Sequence, residues 1–364
     1  MTATAYSAPD FAAPGLARAP EARFEPIPAD GVMPEGFFST SNLPTYVRLG
    51  SRWVMPSRPR MDCVIVRRGD ALETVEPRRL RRGDQIAMGE AEDGSQGIYV
   101  HSAGFLAGSH SANEFRFMST EVSRERPVNY EELAQRLGEE KNGGGFLVWV
   151  IGPALVHSRA RKDLEWFIRQ GYVHAVLAGN AVAVHDIEAA IFGTTLGMTN
   201  TGHPTTGGHG LHMRAINQVR ALGSIERAME AGLVKSGIMH ALVTHRIPYV
   251  LAGSIRDDGP LPGVYSDSLA AQDAMREITV RATGAILVAS ALHAIAVGNM
   301  LPAFHTHPDG IPRPLMTICV DQTEFVVNKL KDRGTHQAYG VVTNAQDFMH
   351  VLRHYVEQWE RTAK

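Results

Sequence analysis

FLVWVIGPALVHS (Phe146–Ser158) is an uninterrupted apolar run that stops at Gly152-Pro153 and gives way to a helical stretch beginning near Ser158. So short a run, rich in β-branched and aromatic residues and closed by a Gly-Pro break, reads as a strand buried on both faces. The same unit recurs downstream. Ala175–Leu177 runs into Gly179-Asn180, and Tyr249–Ala252 into Gly253. Ile286–Ala296 is a buried helix or strand, and Leu315–Val320 and Tyr339–Val342 are the last strands. Helical stretches lie between them, through Ala215–Met229 and over Ser268–Thr279. Apolar strands alternating with helices predict βαβ units on a parallel sheet. Residues 129–364 are therefore expected to form an α/β, doubly wound, Rossmann-like nucleotide-binding domain.

Upstream the pattern differs. From Phe37 to Phe117 short β-rich runs (TYVRL, DCVIV, QGIYVH, FRFM) alternate with turn clusters such as RRGD and EDGSQG. This predicts a smaller lobe over 35–128, mostly antiparallel β or α+β. Tyr130–Glu140 reads as an amphipathic helix and Gly143–Gly145 as a hinge. Residues 1–34, rich in Ala and Pro and without periodicity, are expected to be a flexible arm.

Composition narrows the function classes. Lys plus Arg total 36 against 38 Asp plus Glu, a formal charge of -2, so no global field draws the chain to nucleic acid or to an anionic membrane. No apolar run is long enough to span a bilayer, and the N-terminus lacks the pattern of a signal peptide. Both cysteines, Cys63 and Cys319, sit in apolar runs, as buried small hydrophobes of a reducing cytoplasm do. Sixteen histidines invite a metal reading, but His209 and His212 lack a third ligand at a zinc spacing, so no metal site is expected.

In open α/β sheets ligands bind beyond the carboxyl ends of the strands, and these strands end in Gly, Asn, Asp or Ser. Candidates to line a cofactor crevice are Gly152, Pro153, Gly179, Asn180, Gly253, Ser254, Asn299, Asp321 and Asn344. His185 and Asp186 are expected to form a hydrogen-bonded pair that orients the helix following Asn180, for cofactor contact, with Asp186 the candidate, or as a cap. The chain has no GxGxxG fingerprint, so a dinucleotide would need a non-standard Rossmann variant. LAGSIRDDGPLP (Leu251–Pro262) sets adjacent carboxylates, Asp257 and Asp258, in a Gly- and Pro-punctuated loop after a strand. Neighbouring carboxylates resist joint ionisation, which tunes one of them as a proton acceptor; Asp-Asp-Gly is also ordinary turn chemistry.

These segments, with LHAIAVGNMLPA (Leu292–Ala303), TICVDQTEFVVNKLKDRG (Thr317–Gly334), YGVVTN (Tyr339–Asn344) and VLAGNAVAVHDIE (Val176–Glu188), resemble the archaeal-type ornithine cyclodeaminase family. That domain also forms the second half of cyanobacterial arginine dihydrolase/ornithine cyclodeaminase enzymes, and was first noted as a region shared with plant lysine-ketoglutarate reductase/saccharopine dehydrogenase. GFFSTSNLPTYVRLGSRWV (Gly36–Val54) and RMDCVIV (Arg60–Val66) extend the resemblance to both halves of the chain. It implies NAD as cofactor, a small amino-acid substrate, cyclisation of ornithine to proline with loss of ammonia, and a fold related to the deoxyhypusine synthase type. A cytoplasmic homo-oligomer without nucleic-acid or membrane partners is expected.

Ornithine carries one carboxylate and two amines, so it asks for a guanidinium, a base and polar anchors. Arg48, Arg60 or Arg256 can fork the carboxylate. Asn42 and His212, in segments shared with the family, are further substrate contacts. Asp257 or Asp258 can hold or deprotonate an amine, with Lys235 and His293 as proton shuttles. A cleft between lobe and nucleotide domain would keep water from the imine. The rival readings are an NAD(P)-dependent amino-acid dehydrogenase or imine reductase, a cyclodeaminase for lysine or another diamino acid, and a non-catalytic nucleotide sensor.

Overall fold

A computed structural model describes residues 6–105, 128–199, 201–257, 259–307, 310–324, 326–327 and 338–363. They fall into two compact units. The first holds the described residues up to 105 together with Gly298–Leu315, and the second holds the remainder.

In the first unit a four-stranded antiparallel sheet has the order β1 (Arg23–Pro26), β6 (Gln85–Met88), β4 (Val64–Arg68), β5 (Ala71–Val75). A second sheet runs β3 (Arg52–Val54), β2 (Thr45–Leu49), β7 (Ile98–Val100). Alternation along β2 and β7 buries Val47, Leu49, Ile98 and Val100 in one core with Phe38 and Ile65. The antiparallel lobe is as expected, although its FRFM run lies outside the described residues.

Two boundaries differ from the sequence reading. The supposed flexible arm is part of this unit: β1 pairs with β6, Arg23 opposite Met88, and Leu16, Ala19, Ala22 and Ile27 are buried. Phe11 stacks on Trp53 with ring centroids 5.5 Å apart. Pro26 is tolerated because β1 is an edge strand. Gly298–Leu315, assigned by sequence to the nucleotide domain, also belongs here. There Ala303 N donates to Asn42 O at 3.0 Å, and the segment HTHPDGIPRP contributes to the hairpin of β14 (Phe304–Thr306) and β15 (Pro312–Pro314).

The second unit is a six-stranded, wholly parallel sheet of β8 (Leu147–Ile151), β9 (Ala175–Gly179), β12 (Tyr249–Ala252), β13 (Gly284–Val288), β16 (Met316–Asp321) and β17 (Ala338–Val342). Every residue of β8 and β13 is buried, as a sheet covered on both faces requires. After α1 (Pro14–Ala17) of the first unit, the helices here are α2 (Tyr130–Asn142), α3 (Ala154–His157), α4 (Arg161–Arg169), α5 (Asn180–Phe192), α6 (Leu211–Leu222), α7 (Ile225–Glu230), α8 (Ile238–Thr244), α9 (Ser268–Thr279), α10 (Ala291–Met300) and α11 (Ala345–Thr362), and the short strands β10 (Thr194–Thr195) and β11 (Met198–Thr199) pair with each other apart from the main sheet. Local chemistry sets their ends. Asn129, Ser224, Asp267 and Asn344 cap α2, α7, α9 and α11 through side-chain oxygens, while Gly223 ends α6 at φ 89°.

The strand order is β12-β9-β8-β13-β16-β17. Numbered within this unit it reads 3-2-1-4-5-6, the dinucleotide-binding order, whose direction reverses between β8 and β13. No described helix is long and apolar enough to cross a membrane.

Candidate functional site

At the reversal, the ends of β8 and β13 all but touch. Gly152 N donates to Val288 O at 2.9 Å, and a Cβ on Gly152 would lie 1.6 Å from Ala289 O. Only glycine fits there. Gly152→Ala is expected to force the two strand ends apart and cost about 1–3 kcal/mol; an unchanged urea midpoint would show that they can part freely.

Beside this point, β9 ends at Gly179 and α5 begins at Asn180. Gly179 N-caps α5 in extended backbone, with no side-chain acceptor on the first-turn amides. A Cβ on Gly179 would sit 2.8 Å from His293 Cε1, so this glycine is what lets the imidazole from α10 reach the strand end. Burial pushes His293 below its ordinary value, against the pull of the Asp257 carboxylate.

Asn180 organises the loop after β12. Its Nδ2 donates to Asp257 Oδ1 at 3.1 Å, and its Oδ1 accepts from Leu261 N at 3.1 Å. Ser254 N donates to Asp257 Oδ2 at 2.7 Å. Asp257 is thus gripped on both oxygens, and Asn180 pins both sides of the loop. Asp258 lies outside the described residues.

A cavity of about 350 Å³ opens over these strand ends. Pro153, Asn180, Ser254, Arg256 and Asp257 line one part of it, and His157, His185 and His212 another. Arg256 and Ser254 are exposed at its rim.

His212 was expected here as a substrate contact, whereas His157 and the partnership of His185 with Glu188 were missed in the sequence. His185 Nδ1 lies 3.1 Å from Glu188 Oε2. Glu188 is fully buried and also accepts from Thr194 Oγ1 at 3.0 Å, Leu196 N at 3.1 Å and Gly197 N at 2.9 Å. Burial pushes its carboxyl up, but these hydrogen bonds outweigh it and hold the group below its ordinary value. His157 is bonded to Thr195 Oγ1 and lies 4.6 Å from His185 between ring centroids. Burial, reinforced by His185, lowers it to about 4. The signal was present: Asn180, His185, Asp186 and Glu188 are the polar residues of an otherwise apolar helix, and His185 and Glu188 share a face at i, i+3.

Other candidates lie elsewhere. Asp186 faces the interior, where Arg161 Nε reaches its Oδ1 at 2.5 Å and the amides of Ile238 and Met239 donate to it at 2.9 and 2.8 Å. Its carboxylate is fully buried in that ion pair and does not line the cavity. Lys235 is exposed in the turn between α7 and α8, away from the cavity. Arg48 donates from Nη1 to Leu16 O and Ala17 O and stacks over Trp53, and Arg60 is buried against Glu76 at 3.0 Å. Both guanidiniums serve the first unit's own structure. Asn42 and Asn299 also fall in that unit. Asn344 is the cap of α11, and Asp321 Oδ1 accepts from Thr323 N and Oγ1 at 3.0 and 2.9 Å in a turn beyond β16. Among the described residues no group of His, Cys, Asp and Glu is placed to hold a metal ion.

The donor set fits a dinucleotide. The 3-2-1-4-5-6 order, the close approach at Gly152 and the uncapped first turn of α5 beside the cavity are what an anionic pyrophosphate needs. The fingerprint that GxGxxG would supply is replaced by single glycines at separate strand ends, Gly152 and Gly179.

Two family models match the chain. One is described as arginine dihydrolase ArgZ-like, C-terminal, Rossmann fold, over residues 131–352, and the other as arginine dihydrolase ArgZ-like, C-terminal, first region, over residues 44–131. The chain is 43% identical over 335 residues to an ornithine cyclodeaminase of Methanopyrus kandleri, covering 90% of this chain and 77% of that protein. A solved structure of a putative LOR/SDH protein from Methanococcus maripaludis superposes with a TM-score of 0.85 at 38% identity, covering 94% and 99%. AgrE, solved as a ternary complex with ornithine and NAD+, gives a TM-score of 0.58 at 34% identity, covering 95% of this chain and 47% of AgrE.

Proposed function

Because the chain belongs to the ArgZ-like family of ornithine cyclodeaminases, we propose that it converts L-ornithine to L-proline and ammonia at the cavity over the β8–β13 reversal, with NAD as cofactor. The observation that carries the reading is Asp257, held on both carboxylate oxygens at a cavity beside the dinucleotide crevice. The relative solved with ornithine and NAD+ supports the choice of ligands.

Gly152, Pro153, Gly179 and Asn180 would hold the cofactor, with the uncapped first-turn amides of α5 offered to its anionic groups. When bound, NAD would supply a reversible hydride acceptor, as a conversion without net redox change requires. The chain's own groups bind and move protons. Arg256 at the rim is the carboxylate anchor, a role that Arg48 and Arg60 cannot fill while tied into the first unit. Asp257 takes a proton from the α-ammonium, and its hydrogen bonds aim it at the cavity. His293, which burial pushes below its ordinary value, lies behind Asp257 to pass that proton on. Holding amine and electrophilic carbon on one molecule gives ring closure the advantage of an intramolecular reaction, up to about 10⁵ M or more in effective molarity.

The purified protein with ornithine and less than one equivalent of NAD+ is expected to release one ammonia per proline over many turnovers, with no NADH build-up. NADH released in step with product would replace this reading by an amino-acid dehydrogenase. Faster ammonia release from lysine than from ornithine would reassign the substrate.

A further inference from the structure

The net reaction neither consumes nor releases a proton: an ornithine cation gives a proline zwitterion and an ammonium ion. Whatever group deprotonates the attacking amine must therefore see its proton return to the departing nitrogen. Both nitrogens are bonded to the α-carbon when the ring closes, so one group that reaches the first also reaches the second. Asp257 is assigned to the earlier proton, that of the α-ammonium. His293 is not among the residues that line the cavity, so a second acceptor is needed there.

We propose that His185, held by Glu188, is that group and is a catalytic residue of ring closure, an inference that rests on the function proposed above. Glu188, ionised in the interior by its donors, accepts the Nδ1–H of His185. That leaves Nε2 as the basic atom, on a side chain that is 11% exposed and lines the cavity. The carboxylate also stabilises the imidazolium once it forms. A buried Glu with four donors in so apolar a helix needs such a reason, because an apolar side chain would fill the same space without the desolvation cost.

The groups facing His185 are consistent with this. His157 on α3 is neutral at working pH and does not compete for the proton. His212 on α6 lies 6.3 Å away between ring centroids. Arg256 and Asp257 come from the loop after β12.

The step balances. A distal N–H bond breaks and an Nε2–H bond forms as the distal nitrogen bonds to the α-carbon, already oxidised to an imine by the nicotinamide cofactor. The proton then passes from Nε2 to the α-nitrogen, and the C–N bond breaks with its electron pair leaving on ammonia. Glu188 is a positioning residue throughout.

The test compares the parent protein with His185→Ala, and with His185→Gln as a variant of similar bulk. Ammonia release from ornithine is expected to fall about 100-fold or more in both. Each is expected to form bound NADH, read by absorbance on mixing with NAD+ and ornithine, because oxidation precedes the blocked step. Imidazole added to His185→Ala is expected to restore ammonia release in proportion to its free base, and the cofactor-free variants are expected to melt close to the parent. Near-parental ammonia release in either variant overturns the inference. So does slow release with neither bound NADH nor imidazole rescue. A parent that releases no ammonia from ornithine fails the function proposed above instead, which separates the two failures.

Discussion

Replacing Asp257 by Asn is expected to lower kcat by about 10² or more while NAD+ affinity changes little. Substrate amines arrive as ammonium ions, and an amide cannot take their proton. The lost interaction is made as the proton moves, so kcat falls more than KM rises. The substitution also turns an acceptor into a donor in a place where both neighbours donate: Ser254 N at 2.7 Å and Asn180 Nδ2 at 3.1 Å. Asn180 cannot simply turn its amide round, because its Oδ1 already accepts from Leu261 N. A loop effect must therefore be separated from a base effect, and Asn180→Ala does so. It frees the loop but leaves the carboxylate, so it is expected to raise KM more than it lowers kcat. Near-parental kcat in both Asp257→Asn and Asp258→Asn, at saturating ornithine and NAD+, would remove the loop from the chemistry.

The parallel sheet was legible because its strands are buried on both faces and read as unbroken apolar runs; Tyr249–Ala252 was placed to the residue, and so was the start of the helix at Ser268. The loop after β12 was legible through its turn residues. Legibility failed where a residue's role depends on partners distant in sequence. Nothing near Arg23 announces that its strand pairs with Gln85–Met88. The guanidiniums of Arg48 and Arg60 suit a carboxylate substrate equally well in sequence, and only tertiary contacts reveal that backbone carbonyls and Glu76 occupy them. Ile286–Ala296 was ambiguous because it is strand and helix in succession, with Ala289 at φ 53° between them. Within α5, adjacent residues face different ways: His185 lines the cavity and Asp186 points to the core.

That divergence sets the largest expected effect on stability. Asp186→Ala is expected to cost about 3–5 kcal/mol, the usual loss when one partner of a buried ion pair is removed. The carboxylate is fully buried and Arg161 is 17% exposed, so little water can replace the lost partner. Arg161 would keep its bonds from Nη2 to Asp186 O at 3.1 Å and Ser236 O at 2.9 Å, but its charge would stand uncompensated. The first amides of α8 would lose their acceptors too, since Gly237, at φ 110°, offers no side chain to cap them. Asp186→Asn keeps the shape and one acceptor, so it should fall between the parent and the alanine variant. Urea unfolding would show the loss as a lower midpoint at an unchanged slope. If Asp186→Ala instead cost under about 1 kcal/mol, the range of a surface ion pair, the pair would be solvated in solution, and Asp186 would again be available to a cofactor.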